Sequence, residues 1–89
     1  MCRRVRMNHR KLWRKALASP NNLRFDDLVR LLHAFGFQKL RVSGSHHIFD
    51  HSEMPEQVNI QDRGGKAKPY QVRQFIKLVE RYNLEMDSK

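Results

Sequence analysis

Apolar residues recur along this chain with two different periods, and the change from one to the other divides it into elements. Phe25, Leu28, Val29, Leu32 and Phe35 fall at i, i+3, i+4, i+7 and i+10, a single apolar stripe of an α-helix. Asp26 and Asp27 sit in its first turn, where the helix dipole favours negative charge, and Gly36 supplies the stop. Val72, Phe75, Ile76, Val79 and Tyr82 repeat the same template after Pro69, a residue suited to a first helical turn. A shorter run from Asn8 to Ala18 carries Leu12, Ala16 and Leu17 at helical spacing with Trp13 beside them, and Ser19-Pro20-Asn21-Asn22 ends it.

Past Gly36 the period drops from 3.6 to 2. Leu40 and Val42 alternate with Lys39 and Arg41, and Ser43-Gly44-Ser45 turns the chain. His46 to His51 then reads as a second strand, with His47, Phe49 and His51 on one face and His46, Ile48 and Asp50 on the other. Glu53-Met54-Pro55-Glu56 reads as a loop, Val58 and Ile60 mark a third strand, and Asp62 to Pro69 reads as a glycine-rich loop. The expected fold is α+β: a three-stranded antiparallel sheet covered on one face by two helices, plus an extra N-terminal helix. Residues 1–22 are expected to form a basic N-terminal segment, 23–84 the α-β-β-β-α domain, and 85–89 a frayed tail.

Charge changes this picture at one end. The formal net charge is +9. Residues 1–19 hold seven Lys or Arg and no acid, and the other 11 basic residues are set against nine acids, so +7 of the excess is N-terminal. Such a cluster attracts polyphosphate or an acidic protein, or else keeps a small helix solvated. Met7 is an alternative start. The lone Cys2 has no intrachain disulfide partner, no apolar run is long enough to span a membrane, and the basic start is not followed by a signal-peptide core. The expected location is the cytoplasm.

The chemistry-bearing stretch is Gly44-Ser45-His46-His47-Ile48-Phe49-Asp50. Spacing alone favours strand-end histidines without a chemical task. A metal reading fails on distance, because His47 and His51 stand four residues apart, about 13 Å along a strand, and no Cys or acidic cluster has ligand spacing. Neither a metal nor another cofactor is expected.

In their order and setting, residues 24–84 resemble the HicA (YcfA-like) toxins of toxin–antitoxin systems. The resemblance rests on Phe25 to Phe37, on Leu40-Arg41-Val42-Ser43-Gly44-Ser45-His46-His47-Ile48-Phe49, on Val58-Asn59-Ile60, and on the basic glycine loop before Tyr70 to Tyr82. It implies a fold similar to the double-stranded-RNA-binding domain, a metal-independent mRNA interferase activity, and neutralisation by a HicB-like antitoxin. The family's functional histidine follows a Gly-Ser pair, here His46, with His47 in reserve. The chain departs from the family where a His-Pro or Pro-His element commonly follows the third strand, since Gln61-Asp62-Arg63 stands there.

RNA carries its own nucleophile, so a histidine able to take and give protons near neutral pH makes a slow single-histidine cleavage possible if positive charge holds the phosphate. Arg63, Lys66 and Lys68 on the glycine loop and Arg41 on the neighbouring strand are the expected phosphate ligands. The backbone of Gly44 and Ser45 can approach an anion closely. The alternative is a non-catalytic RNA-binding module, since folds of this type grip A-form RNA by shape. A third reading makes the +7 segment a DNA or acidic-partner site on a scaffold.

Overall fold

The computed structural model describes residues 9–86. Helix α1 (His9–Ala18) leads through a 3-10 turn (Pro20–Asn22) to α2 (Phe25–Ala34), and four strands follow: β1 (Gln38–Ser43), β2 (His46–His51), β3 (Met54–Arg63) and β4 (Lys66–Ala67). Helix α3 (Pro69–Arg81) closes the order. The strands form one antiparallel sheet in the order β1-β2-β3-β4.

Both stripe helices form as their periodicity predicts, and they end alike. After α2, Gly36 takes φ 94° and the Phe37 N–H donates to the Leu32 carbonyl. After α3, Asn83 takes φ 54° and the Leu84 N–H donates to the Val79 carbonyl. Each is a six-to-one bond that satisfies an orphan carbonyl and turns an apolar residue back inward. Phe37 and Leu84 are accordingly buried, and Met86 still packs on the core beyond the last helical residue.

The core lies between α2, α3 and one face of the sheet. Phe49 pairs with Val58 and His47 with Ile60, so these four side chains share the helix-covered face. Phe49, Val58 and Ile60 are buried there with Phe25, Leu28, Leu32, Phe37, Val72 and Phe75. Helix α1 covers a second side of α2, which explains why Leu31 and Ala34 are buried although they lie off the predicted stripe. Trp13 meets Phe35 and Phe75 edge-on at 4.9 and 6.0 Å between ring centroids. Leu12 and Ala16 are fully buried, but Leu17, expected with them, is exposed. Asn8, the basic residues before it and residues 87–89 lie outside the described residues.

The sheet departs from expectation in three places. It has four strands rather than three, because Gly64 and Gly65 both adopt positive φ. That is the requirement of a two-residue primed hairpin turn, and it folds Lys66–Ala67 back onto Asp62–Arg63. Next, β3 starts at Met54 rather than near Val58. Pro55 falls where the register slips between the Phe49–Val58 and His51–Met54 pairs, a bulge where no ladder bond needs its missing N–H. Finally, β1 shows no inside–outside alternation: it is an edge strand with a bulge at Leu40, and all six of its residues are exposed.

His51 serves this architecture. Its Nε2 donates to the Phe35 carbonyl at 2.8 Å, its Nδ1 accepts from the Glu53 N–H at 3.0 Å, and its ring lies against Phe37. Both nitrogens are used in pinning the β2–β3 turn to the end of α2.

Candidate active site on the open sheet face

Two glycine turns meet at one end of the sheet. Gly44-Ser45 links β1 to β2, with Gly44 at φ 61° in the first central position, where a primed hairpin of this length calls for glycine. The Ser45 carbonyl accepts from the Asp62 N–H at 3.0 Å. Asp62 in turn accepts from the Gly65 N–H through Oδ1 at 2.8 Å. One residue therefore ties the histidine turn to the glycine loop. The Gly65 carbonyl accepts from the Phe25 N–H at 3.0 Å, so the loop is also anchored to the start of α2.

The two histidines of the turn point to opposite faces, as their alternation requires. His46 is exposed on the face away from the helices, and its Nδ1 lies 3.2 Å from Asn59 Oδ1. Because a carbonyl oxygen only accepts, Nδ1 is the donor in this contact, and Nε2 is the nitrogen left to exchange a proton. His47 is half-buried on the helix side, its ring tilted 59° against Phe25 at 4.7 Å between centroids. Its Nδ1 is buried without a hydrogen-bond partner among the described residues.

The expected phosphate ligands divide into two groups. Arg63 and Lys66 flank the Gly64-Gly65 turn, and with Lys68 and Asn21 they line a shallow groove of about 320 Å³. Lys68 Nζ stands 5.7 Å above the Tyr70 ring. Arg41 is not part of that loop. It pairs with Ile48, two positions along β1 from the Ser43–His46 pair, and is exposed on the same face as His46. Gly44 has nothing within 4 Å of the place a Cβ would occupy, so the turn backbone is open to solvent. Among the described residues no cluster of His, Cys, Asp and Glu can hold a metal ion, and no helix is long and apolar enough to cross a membrane.

Sequence reasoning missed Asn59 and Asp62. Neither is near His46 in the chain. Their roles follow from the β2–β3 register, which places Gln61 opposite His46 and Asn59 opposite Ile48.

The fold and this end of the sheet define a small α+β domain with an exposed histidine between two glycine turns, one of them basic. A family model described as the HicA toxin of bacterial toxin-antitoxin systems matches residues 25–80. The chain belongs to the HicA toxin family, and an antitoxin partner goes with that membership. No curated protein and no solved structure matches it at a significant level.

Proposed function

We propose that the chain is an mRNA interferase, a metal-independent cytoplasmic endoribonuclease held silent by a HicB-like antitoxin. The observation that carries this reading is the placement of His46, exposed beside the junction of the two glycine turns with its Nδ1 held by Asn59. Nε2 takes the proton of an RNA 2′-hydroxyl, whose oxygen attacks the adjacent phosphorus. The bond to the 5′-oxygen breaks, and that oxygen receives a proton, leaving a 2′,3′-cyclic phosphate and a 5′-hydroxyl. His46 is suited to both transfers in turn. Arg63, Lys66 and Lys68 hold phosphates flanking the cut, and Arg41 reaches the strand from the other side of the turn. The Gly44 and Ser45 backbone lets the phosphate approach.

His46→Ala tests the assignment. It is expected to abolish RNA cleavage and growth arrest while leaving the fold and antitoxin binding intact, since His46 is exposed and carries no core contact. A His46→Ala protein that still cuts RNA sinks the reading. Wild-type protein that binds RNA without cutting it instead supports a non-catalytic RNA-binding module.

A further inference from the structure

Helix α3 does not lie flat on the sheet along its whole length. Between it and β3 runs a groove of about 590 Å³ lined by Gln57, Tyr70, Arg73, Gln74, Lys77 and Arg81, among others. A second cleft of about 110 Å³ continues from it, with Gln57, Gln74 and Leu78 shared by both and Asn59 at its wall. Asn59 is the residue that holds His46. The groove and the candidate active histidine therefore share one neighbouring residue, Asn59.

Its lining has three chemically distinct parts. Arg73, Lys77 and Arg81 repeat every fourth residue of α3 and so form a row with steps of about 6 Å along the axis. Arg81 is paired with Glu56 at 3.4 Å, and Tyr82 also donates to Glu56, so that end of the row is neutralised and closed. Arg73 and Lys77 carry the positive field of the open part. Tyr70 is 58% exposed at the other end, beside Lys68. The amides of Gln57 and Gln74 each offer both donors and acceptors, and Asn59, whose Oδ1 accepts from His46, offers its NH2 donors. Gln71 is already committed, its Oε1 accepting from the Gln61 N–H at 2.8 Å, and this contact fixes α3 against the edge of β3.

We infer that this groove is the base-recognition subsite for single-stranded RNA, with Tyr70 as the stacking platform, Arg73 and Lys77 on the phosphates, and the Gln57, Gln74 and Asn59 amides reading base edges. The inference rests on the endoribonuclease reading above. Single-stranded RNA is recognised through unstacked bases that meet aromatic rings and hydrogen-bonding side chains, with cations tracking the backbone. A duplex keeps its bases stacked and paired, so it offers neither a free base face to Tyr70 nor free pairing edges to the amides. A protein partner is the poorer fit, because the open lining is mostly amide and cationic, with Leu78 and the buried Val58 its only aliphatic residues.

The test is fluorescence anisotropy with short single-stranded RNAs of varied sequence, 2′-methoxy-substituted so that they are bound but not cut, over a salt series. Full-length wild type is compared with Tyr70→Ala, Gln74→Ala and an Arg73→Gln/Lys77→Gln double variant, each checked for native circular dichroism. Tyr70→Ala is expected to weaken binding roughly 5- to 100-fold. The double variant weakens all sequences alike and flattens the log–log salt slope by about 0.7 per lost phosphate contact. Gln74→Ala changes the ranking of sequences. If the wild type binds and cuts RNA but all three variants keep its affinity, salt slope and ranking, the groove is not the subsite and the endoribonuclease reading survives. If the wild type neither binds nor cuts RNA, that reading falls and takes the subsite with it. Variants that keep RNA binding and lose the antitoxin overturn the inference in favour of a protein-docking groove.

Discussion

His46 Nδ1 and Asn59 Oδ1 meet at 3.2 Å across the β2–β3 ladder, although the two residues do not face each other in register. His46 is opposite Gln61, and Asn59 is opposite Ile48. The bond is therefore diagonal, within the reach that polar side chains have between such positions on one sheet face. It sets the plane of the imidazole and its tautomer from a residue on another strand.

Asn59→Ala leaves His46 in place but frees its ring. The expected result is a fall in single-turnover cleavage at saturating protein of up to about 100-fold, the scale on which misplacement of a reacting group acts. Thermal stability should not move, because both residues are exposed. Cleavage by Asn59→Ala at the wild-type rate would remove the positioning role.

That relationship also shows where reading the sequence stops. The apolar stripes of α2 and α3 are local, with a period visible within one element, and both helices form where the stripes lie. The opposite directions of His46 and His47 are equally local, since alternation along one strand decides them. Asn59 and Asp62 depend instead on how β2 and β3 align, and a bulge at Pro55 shifts that alignment. The short β4 was hidden because Gly64-Gly65 marks a flexible loop and a primed turn equally well. Leu40 and Val42 alternate with charged residues yet remain 45% and 49% exposed. Periodicity identifies a strand there, but not that the helices fall short of an edge.

His47 offers a test that separates the two histidines. Its ring packs on Phe25, and its buried Nδ1 has no partner among the described residues. A buried polar atom left unsatisfied is costly, whereas an apolar side chain of similar shape avoids that cost. His47→Leu should keep RNA cleavage and leave urea-denaturation stability unchanged or raised, by about 1 kcal/mol at most. A folded His47→Leu protein that no longer cuts RNA would transfer the proton-transfer role from His46 to His47.

The N-terminal helix is part of the folded core whatever its charge does. Leu12 and Ala16 are fully buried, and Trp13 contacts both Phe35 and Phe75. Trp13→Ala is expected to cost about 3 kcal/mol in chemical denaturation. Deleting residues 1–19 should cost more, because Leu12 and Ala16 leave the core together with Trp13. Such a truncation therefore confuses charge with packing. Arg10→Gln with Arg14→Gln removes two exposed cations and spares the buried face. If RNA affinity is unchanged in that double variant, these two charges do not contribute to RNA binding.

Tyr82 gives the fold one predictable response to alkali. Its phenol donates to Glu56, and that hydrogen bond, followed by partial burial and the carboxylate's charge, raises its pKa above the ordinary value of 10.0. The neutral phenol is the form that the fold prefers. The stabilisation is therefore fully present below the unfolded value near 10 and is lost as pH rises through the higher folded value. With two tyrosines in the chain, Tyr70→Phe leaves Tyr82 as the sole phenol, and its ionisation can be followed by ultraviolet absorbance. The midpoint should lie above 10, and adding Glu56→Ala should lower it, because the bond and the negative charge leave together. A midpoint that does not respond to Glu56→Ala would show that burial alone, and not the carboxylate, holds the phenol proton.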